Sequence, residues 1–184
     1  MPLYAPVSAS GRDVYTAMLG LAGEPFPLDP IDNDNLGATS GFLLLSLIRP
    51  GAGAITNLGL WLTTAGTGPG SSSMALFSET GTQLGVTGDM TSALTNGANA
   101  GTYVEAAMAS PYTAAADTDY YVGLFTALTA DSKIAGAFSG SGIHLPSIKG
   151  HRPAIVIGSL GAMPSSINVA TATTAAAVYW LVAS

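Results

Sequence analysis

The two histidines are the residues of this 184-residue chain with the clearest potential for metal chemistry. His144 and His151 lie seven residues apart in a segment rich in glycine and proline, and the sequence contains no cysteine. A zinc site built on this pair would need further ligands from carboxylates. We therefore interpret both histidines as loop or interface residues, and we expect no metal ion and no cofactor.

Three aspartates near the start of the chain are the second candidate for chemistry. Asp29, Asp32 and Asp34 could supply oxygen ligands to a calcium ion. Their spacing is not that of an EF-hand loop, and Pro30 and Ile31 interrupt it. The alternative, which we favour, is that they are solvated turn residues.

A further pair of carboxylates, Asp117 and Asp119, stands at the start of a candidate strand. Two carboxylates catalyse glycoside hydrolysis when they flank the scissile bond from opposite sides, but nothing in the sequence indicates that opposed geometry. The chain also lacks a Gly-x-Ser-x-Gly elbow, a Walker loop, Gly-x-Gly-x-x-Gly and His-Glu-x-x-His. We therefore expect that the protein is not an enzyme.

Aromatic side chains on two candidate strands suggest a different chemistry, the binding of sugars. Trp61 lies on the strand face opposite Leu58, Leu60 and Leu62, and Tyr103 has the same non-core parity on its own strand. Exposed aromatic platforms are a common means of gripping sugars, so a carbohydrate- or receptor-binding module is one hypothesis. The alternative, which we favour, is that these rings fill a second packing face or an interface between subunits.

The composition favours a folded protein with an unusually neutral surface. Charged residues make up 9% of the chain, against about a quarter in an ordinary soluble domain, while 48% of residues are hydrophobic. The net charge of −6 is concentrated at one end, because the first 34 residues carry −4 and the rest only −2. A nearly neutral body lacks the repulsion that keeps crowded molecules apart, which favours close packing with copies of itself or with a larger shell.

Several classes of partner are disfavoured by the same composition. The five basic residues are scattered and cannot form the stripe that neutralises phosphates, so we expect no nucleic-acid partner. The longest apolar runs, around 42–48 and 175–183, have about half the length of a membrane-spanning helix. Residues 1–6 do not resemble a secretory signal, so we expect no membrane association.

The chain divides near residue 41. Residues 1–40 contain five prolines and most of the excess negative charge, a mixture that disfavours long helices and central strands. We predict an extended N-terminal arm there, with a short helix over 13–21. The apolar residues that would anchor the arm to a partner are Tyr4, Val7, Tyr15, Leu19 and Phe26.

Residues 41–184 are predicted to form one all-β domain, because short apolar segments alternate with turns rich in glycine and asparagine. Segment 119–126 is apolar on both faces, which indicates a central strand or a covered outer face. The alanine-rich stretch 170–177 is interrupted by β-branched residues, so we predict a turn that leads into the last strand. The predicted strands are 42–48, 55–62, 73–78, 83–86, 102–108, 119–126, 133–138, 153–158 and 176–183.

The sequence also resembles a known class of viral proteins. Ala75-Leu76-Phe77 is followed by Gly81, then by Ser110-Pro111-Tyr112-Thr113 and by Tyr120-Tyr121-Val122-Gly123. This order resembles a β-sandwich module of bacteriophage virion accessory proteins, among them capsid decoration and minor tail proteins of phages that infect actinobacteria. The resemblance extends over residues 42–184 and is strongest over 54–126. It implies a jelly-roll-like fold, a virion location and self-association, and it transfers no catalytic residue.

Together these observations predict a jelly-roll-like antiparallel β-sandwich with an extended N-terminal arm. We expect a virion structural protein, assembled in the host cytoplasm, that decorates or cements the capsid. Its expected partners are the major capsid protein or other virion proteins and copies of itself, with a trimer favoured. The alternative is a carbohydrate- or receptor-binding minor tail protein module, in which Trp61 and Tyr103 contact the ligand.

Overall fold

The computed structural model describes residues 36–138, 154–170, 172–174 and 177–184. These residues are mostly β-strand, with one short α-helix, α1 (Thr91–Thr95), and a 3-10 turn at Gly97–Asn99. Most of the predicted arm, including the helix expected at 13–21, lies outside the described residues. The strands are β1 (Leu36–Ala38), β2 (Phe42–Ile48), β3 (Gly53–Thr64), β4 (Ser72–Ser78), β5 (Gln83–Val86), β6 (Thr102–Ala114), β7 (Tyr120–Thr126), β8 (Ser132–Ile134), β9 (Gly136–Phe138), β10 (Ala154–Ile157), β11 (Thr173–Thr174), β12 (Ala177–Tyr179) and β13 (Leu181–Ala183).

Eleven of the thirteen strands form two packed antiparallel sheets. The first sheet has the order β1-β8-β3-β6, and β13 shares with β8 the edge of β3 that does not pair with β6. The second sheet has the order β2-β7-β4-β5, extended beyond β2 by β10 and β11. Strands β1 to β8 therefore follow the winding of an eight-stranded jelly roll. The predicted jelly-roll-like sandwich is confirmed.

Alternation of side chains explains how the first sheet faces the core. Leu58, Leu60 and Leu62 of β3 are completely buried and face the second sheet. They meet inward-facing residues of β2 and β7, including Leu44 and Val122. Because every second residue of β3 is apolar, one face of the strand belongs to the core and the other faces outward.

The second sheet is buried on both faces. Leu43 and Leu45 of β2, Phe77 of β4, and Tyr121 and Phe125 of β7 point away from the first sheet and are at most 1% exposed. Residues 158–170, which we call the cover segment, pack over this outer face. The apolar residues that make the contact include Leu160, Met163, Ile167 and Val169. The covered outer face predicted for segment 119–126 is confirmed.

Backbone hydrogen bonds hold the cover segment at both ends. The Leu160 N–H donates to the Gly41 carbonyl (2.9 Å), and the Ile167 N–H donates to the Gly81 carbonyl (2.8 Å). The Gln83 N–H donates to the Ser165 carbonyl (3.1 Å). The cover segment is thus tied to the start of β2 and to the β4–β5 turn, so its apolar side chains stay on the sheet.

Two predicted strands each divide into two shorter strands. Segment 133–138 divides at Ala135 into β8 and β9, and segment 176–183 divides at Trp180 into β12 and β13. The Ala135 N–H donates to the Trp61 carbonyl (2.9 Å), and the Trp180 N–H donates to the Ala135 carbonyl (2.9 Å). The two segments therefore depart from the first sheet side by side, one at Ala135 and the other at Trp180. Beyond these residues, β9 pairs with β12 in a small separate sheet.

Strand β6 continues beyond its predicted end at residue 108. Its register with β3 passes from Asn57–Ala107 to Ile55–Tyr112, so residues 108–111 bulge opposite Thr56 alone. Pro111 cannot donate a backbone hydrogen bond and is tolerated in this bulge. The strand predicted at 102–108 was therefore too short, because the bulge that lets β6 continue depends on its pairing with β3.

The body also begins slightly before the predicted boundary. Strand β1 lies within the range 1–40 assigned to the arm, and it pairs with β8 through Leu36–Ile134 and Ala38–Ser132. Leu36 and Ala38 are buried in the core. Helix α1 was not predicted, because five residues are too few for a periodic pattern.

We predict that Gly81→Ala destabilises the protein by about 2 to 4 kcal/mol. Gly81 has φ +94°, and an added Cβ would overlap the carbonyl oxygen of Ile167, the residue whose N–H donates to the Gly81 carbonyl and holds the cover segment. Gly88→Ala is the matched control, since Gly88 has open space around its Cβ position. Equal midpoints of urea unfolding for the two variants would contradict this role of Gly81.

The stability of the turn before α1 should depend on pH. The Thr91 hydroxyl and N–H and the Ser72 N–H donate to the Asp89 carboxylate, and they hold its pKa below the ordinary value of 3.8. A lowered pKa stabilises the folded state above pH 3.8, and this contribution is lost as the pH falls through the folded-state value. We expect Asp89→Asn to lower the free energy of unfolding at neutral pH and to lower it less near pH 2, measured by urea titration. A constant difference across this range would contradict the assignment, and Asp117→Asn controls for the loss of one surface carboxylate.

Candidate binding surface

The two aromatic residues selected from the sequence lie side by side on the outer face of the first sheet. Trp61 of β3 and Tyr103 of β6 are register partners in the β3–β6 ladder. Both side chains are half-buried. Trp180, which was not predicted to belong here, lies between β12 and β13 and forms with Ala135 and Val182 the buried cluster against which both rings pack. We call the outward-facing group of Trp61, Tyr103, Glu105 and Trp180 the aromatic face.

A glycine determines how Tyr103 lies on the sheet. Gly59 is two residues from Trp61 on the same face of β3 and pairs with Glu105. An added Cβ at Gly59 would come 2.6 Å from Tyr103 Cζ, so the phenol ring occupies the space that a side chain there would fill. Because the ring lies over the backbone of β3, it is held close to the sheet rather than projecting from it.

The interior of the aromatic face is closely packed. The Tyr103 and Trp180 ring centroids are 6.0 Å apart with an interplanar angle of 74°, an edge-to-face arrangement that is favourable for aromatic pairs. Trp180, Val182 and Ala135 are at most 1% exposed. Trp180 Nε1 is buried and has no hydrogen-bond partner. The half-buried rings of Trp61 and Tyr103 therefore rest on a fixed apolar base.

Polar groups border Tyr103 on one side. The Tyr103 hydroxyl donates to Glu105 Oε2 (3.1 Å), and the Ser184 hydroxyl lies 3.5 Å from the same oxygen. Burial, followed by the negative charge of Glu105, raises the pKa of the Tyr103 hydroxyl well above its usual value of 10.0. The phenol therefore remains a protonated donor at neutral pH, and the exposed Glu105 carboxylate keeps capacity to accept further hydrogen bonds.

The aromatic face thus combines two partly exposed rings with a carboxylate at its border. Asn57 lies on the same face of β3, two residues before Gly59, and its side-chain amide donates to Thr56 Oγ1 (3.1 Å). This arrangement offers stacking surface and hydrogen-bond acceptors.

The structure gives Asp117 and Asp119 different environments. Asp119 is 3% exposed and forms an ion pair with Arg49, with Oδ1 2.5 Å from a guanidinium nitrogen. Asp117 is exposed in the turn before β7, with φ 56°. The Asp119 carboxylate is thus engaged by Arg49, the residue that follows β2. The two aspartates do not form the opposed pair considered for a glycosidase.

Several candidate residues lie outside the described residues. These are His144 and His151, the aspartates at 29, 32 and 34, and the arm anchors Tyr4, Val7, Tyr15, Leu19 and Phe26. Within the described part of the chain, no group of three or more histidine, aspartate or glutamate residues is arranged to hold a metal ion. No helix in that part has the length and apolar character needed to cross a bilayer.

One surface cleft was not anticipated from the sequence. It has a volume of about 250 Å³ and lies beside β10 and β11, where Val156 and Ile157 face Asn168 and Thr173. Its lining residues fall within 156–173, but they come together only where β10, the cover segment and β11 pack, so no strand or turn pattern could have indicated it. The role of Trp180 was also missed, because its packing with Trp61 and Tyr103 depends on which strands pair. Alternation shows only that Trp180 and Leu181 lie on opposite faces of the strand.

Comparison with known proteins finds no family model that matches the chain and no curated protein that is significantly similar to it.

We predict unequal effects when the two partners of the Arg49–Asp119 ion pair are removed. Arg49→Gln leaves a buried carboxylate without its cation and should cost about 3 kcal/mol of unfolding free energy. Asp119→Asn should cost less, because the Arg49 side chain is 35% exposed and can remain hydrated. Urea unfolding of both variants measures the difference, and a larger loss for Asp119→Asn would contradict this account.

Proposed function

We propose that the chain is a structural protein of a bacteriophage virion that packs on the capsid shell and stabilises it. The observation that carries the proposal is the strand order, β1-β8-β3-β6 against β2-β7-β4-β5. This winding is used by viral capsid proteins and by lectin domains. Fold alone does not fix function, so the remaining support comes from the surface and the sequence.

The surface supports a role in close packing. Only 9% of the residues are charged, so copies of the chain repel one another weakly and can be placed at high density. The described body is also well closed, because the cover segment shields the apolar outer face of the second sheet. A neutral, compact subunit of this kind suits a particle surface that carries many copies.

The resemblance of residues 42–184 to phage virion modules is the reason why we propose a bacteriophage virion. The strands that carry it include β4, which contains Ala75-Leu76-Phe77, and β7, which begins with Tyr120-Tyr121. These two strands are adjacent at the centre of the second sheet. These two segments thus lie side by side, whereas Ser110-Pro111-Tyr112-Thr113 lies in β6 of the first sheet.

The proposed mechanism divides the work between the body and the arm. The body packs against sister copies, for which we propose a trimer. The arm, the part of the chain before β1, binds neighbouring virion proteins, with the major capsid protein as the main partner. Its anchors are the apolar residues Tyr4, Val7, Tyr15, Leu19 and Phe26.

The arm can be tested by deletion because the described body begins at Leu36. We expect the chain lacking residues 2–30 to keep its circular dichroism spectrum and unfolding midpoint but to lose association with capsids that lack the protein. The readout is co-sedimentation with these capsids, together with their resistance to heat. Full-length chain should bind and raise the temperature at which the capsids release their DNA.

A matched variant separates the anchors from the length of the arm. Replacing the five anchors by serine keeps the chain length and should reduce binding as the deletion does. Undiminished binding after the deletion would overturn the role of the arm. Absence of the full-length chain from purified virions, determined by mass spectrometry, would overturn the virion proposal itself.

A further inference from the structure

We propose that the aromatic face is a binding site for neutral saccharides. The proposal goes beyond the virion function and does not depend on it, since it rests on the geometry of Trp61, Tyr103 and Glu105. These residues lie on the two strands that make the longest ladder of the first sheet. A rigid sheet is a suitable support for a flat ligand.

The placement of Tyr103 is the first support. Its ring lies over Gly59, so one side of the ring is turned to the backbone of β3. The ring remains half-buried rather than enclosed. A pyranose ring presents a flat face of C–H groups, and such a face stacks on an aromatic ring that lies flat and is held in position.

The chemistry at the border of the ring is the second support. The Glu105 carboxylate is exposed and accepts a hydrogen bond from the Tyr103 hydroxyl (3.1 Å). Vicinal sugar hydroxyls are donors that match the free acceptor sites of a carboxylate. A negative charge beside the stacking ring also disfavours anionic ligands, including phosphates and acidic sugars. The geometry therefore points to a neutral saccharide.

The size of the aromatic face suits a small ligand better than a protein partner. A stable protein interface buries about 800 Å² on each side, whereas a complete aromatic side chain buries about 150–250 Å². Trp61 and Tyr103 are already half-buried, so together they offer much less than a protein interface requires. Two rings and a carboxylate are enough for one or two sugar units.

The chain supplies its own optical probe for this site. It contains two tryptophans, and both Trp61 and Trp180 belong to the aromatic face. Intrinsic tryptophan fluorescence therefore reports on this surface and on no other part of the molecule. We propose titration of the full-length chain with neutral oligosaccharides of glucose, galactose, mannose and N-acetylglucosamine, with saturation-transfer NMR as the second readout.

We expect at least one of these saccharides to shift the tryptophan emission and to receive saturation from the protein. Trp61→Ala should weaken binding at least tenfold. Gly59→Ala should also weaken it severalfold, because the added methyl group displaces the Tyr103 ring while leaving every aromatic residue in place. The control is Tyr112→Ala, which removes a half-buried tyrosine of the same strand β6, one that contacts Tyr120 rather than the aromatic face.

Three results would overturn the proposal. The first is that no neutral saccharide in the panel binds at millimolar concentration. The second is that Trp61→Ala, shown to be folded by its thermal unfolding, binds as tightly as the unmodified chain. The third is that Trp61→Ala converts an oligomer to monomers in sedimentation, which would identify the face as a contact between copies. None of these results affects the virion proposal, which is tested on particles.

Discussion

The strands at the centre of the second sheet are apolar on both faces, and most of the remaining structure serves to cover those two faces. Strands β2, β4 and β7 cannot leave either face in water, because the side chains on both faces are large and hydrophobic. The first sheet covers one face and the cover segment covers the other. The jelly-roll winding brings the first cover into place, and hydrogen bonds to Gly41 and Gly81 hold the second.

The first sheet differs from the second, because one of its faces is turned away from the core. Its outward residues do not need to be apolar throughout, and they include Glu105 and Lys133 as well as Trp61. Where β13 joins β3, an apolar group forms on that face around Trp180. The contrast between a sheet that must be covered and a sheet with an outward face explains why the candidate binding surface lies on the first sheet.

Local patterns were sufficient to predict much of the fold. The bounds of β2 and β5 agree with the prediction, because turn residues flank a short apolar or alternating segment at each place. The outward parity of Trp61 and Tyr103 follows from alternation alone, and the structure places both on the outer face. The divisions at Ala135 and Trp180 could not be predicted, since they depend on which strand each half pairs with. The same is true of the contact between Tyr103 and Trp180, and of the continuation of β6 through Pro111, where the bulge depends on the partner strand.

One edge of β3 is completed only by strands that come much later in the chain. Strand β8 pairs with its last residues and β13 with Leu58–Leu60, so this edge lacks partners while the polypeptide is still being synthesised. During that interval β3 presents unpaired backbone groups to any neighbouring nascent chain, which is a route to misassembly. The Ser46 hydroxyl donates to the Tyr179 carbonyl inside the core (2.7 Å). This hydrogen bond also cannot form until the last segment has been synthesised. Folding to the final state is therefore expected to be slow and to finish late, which connects the yield of functional protein to the time between synthesis of β3 and synthesis of β13.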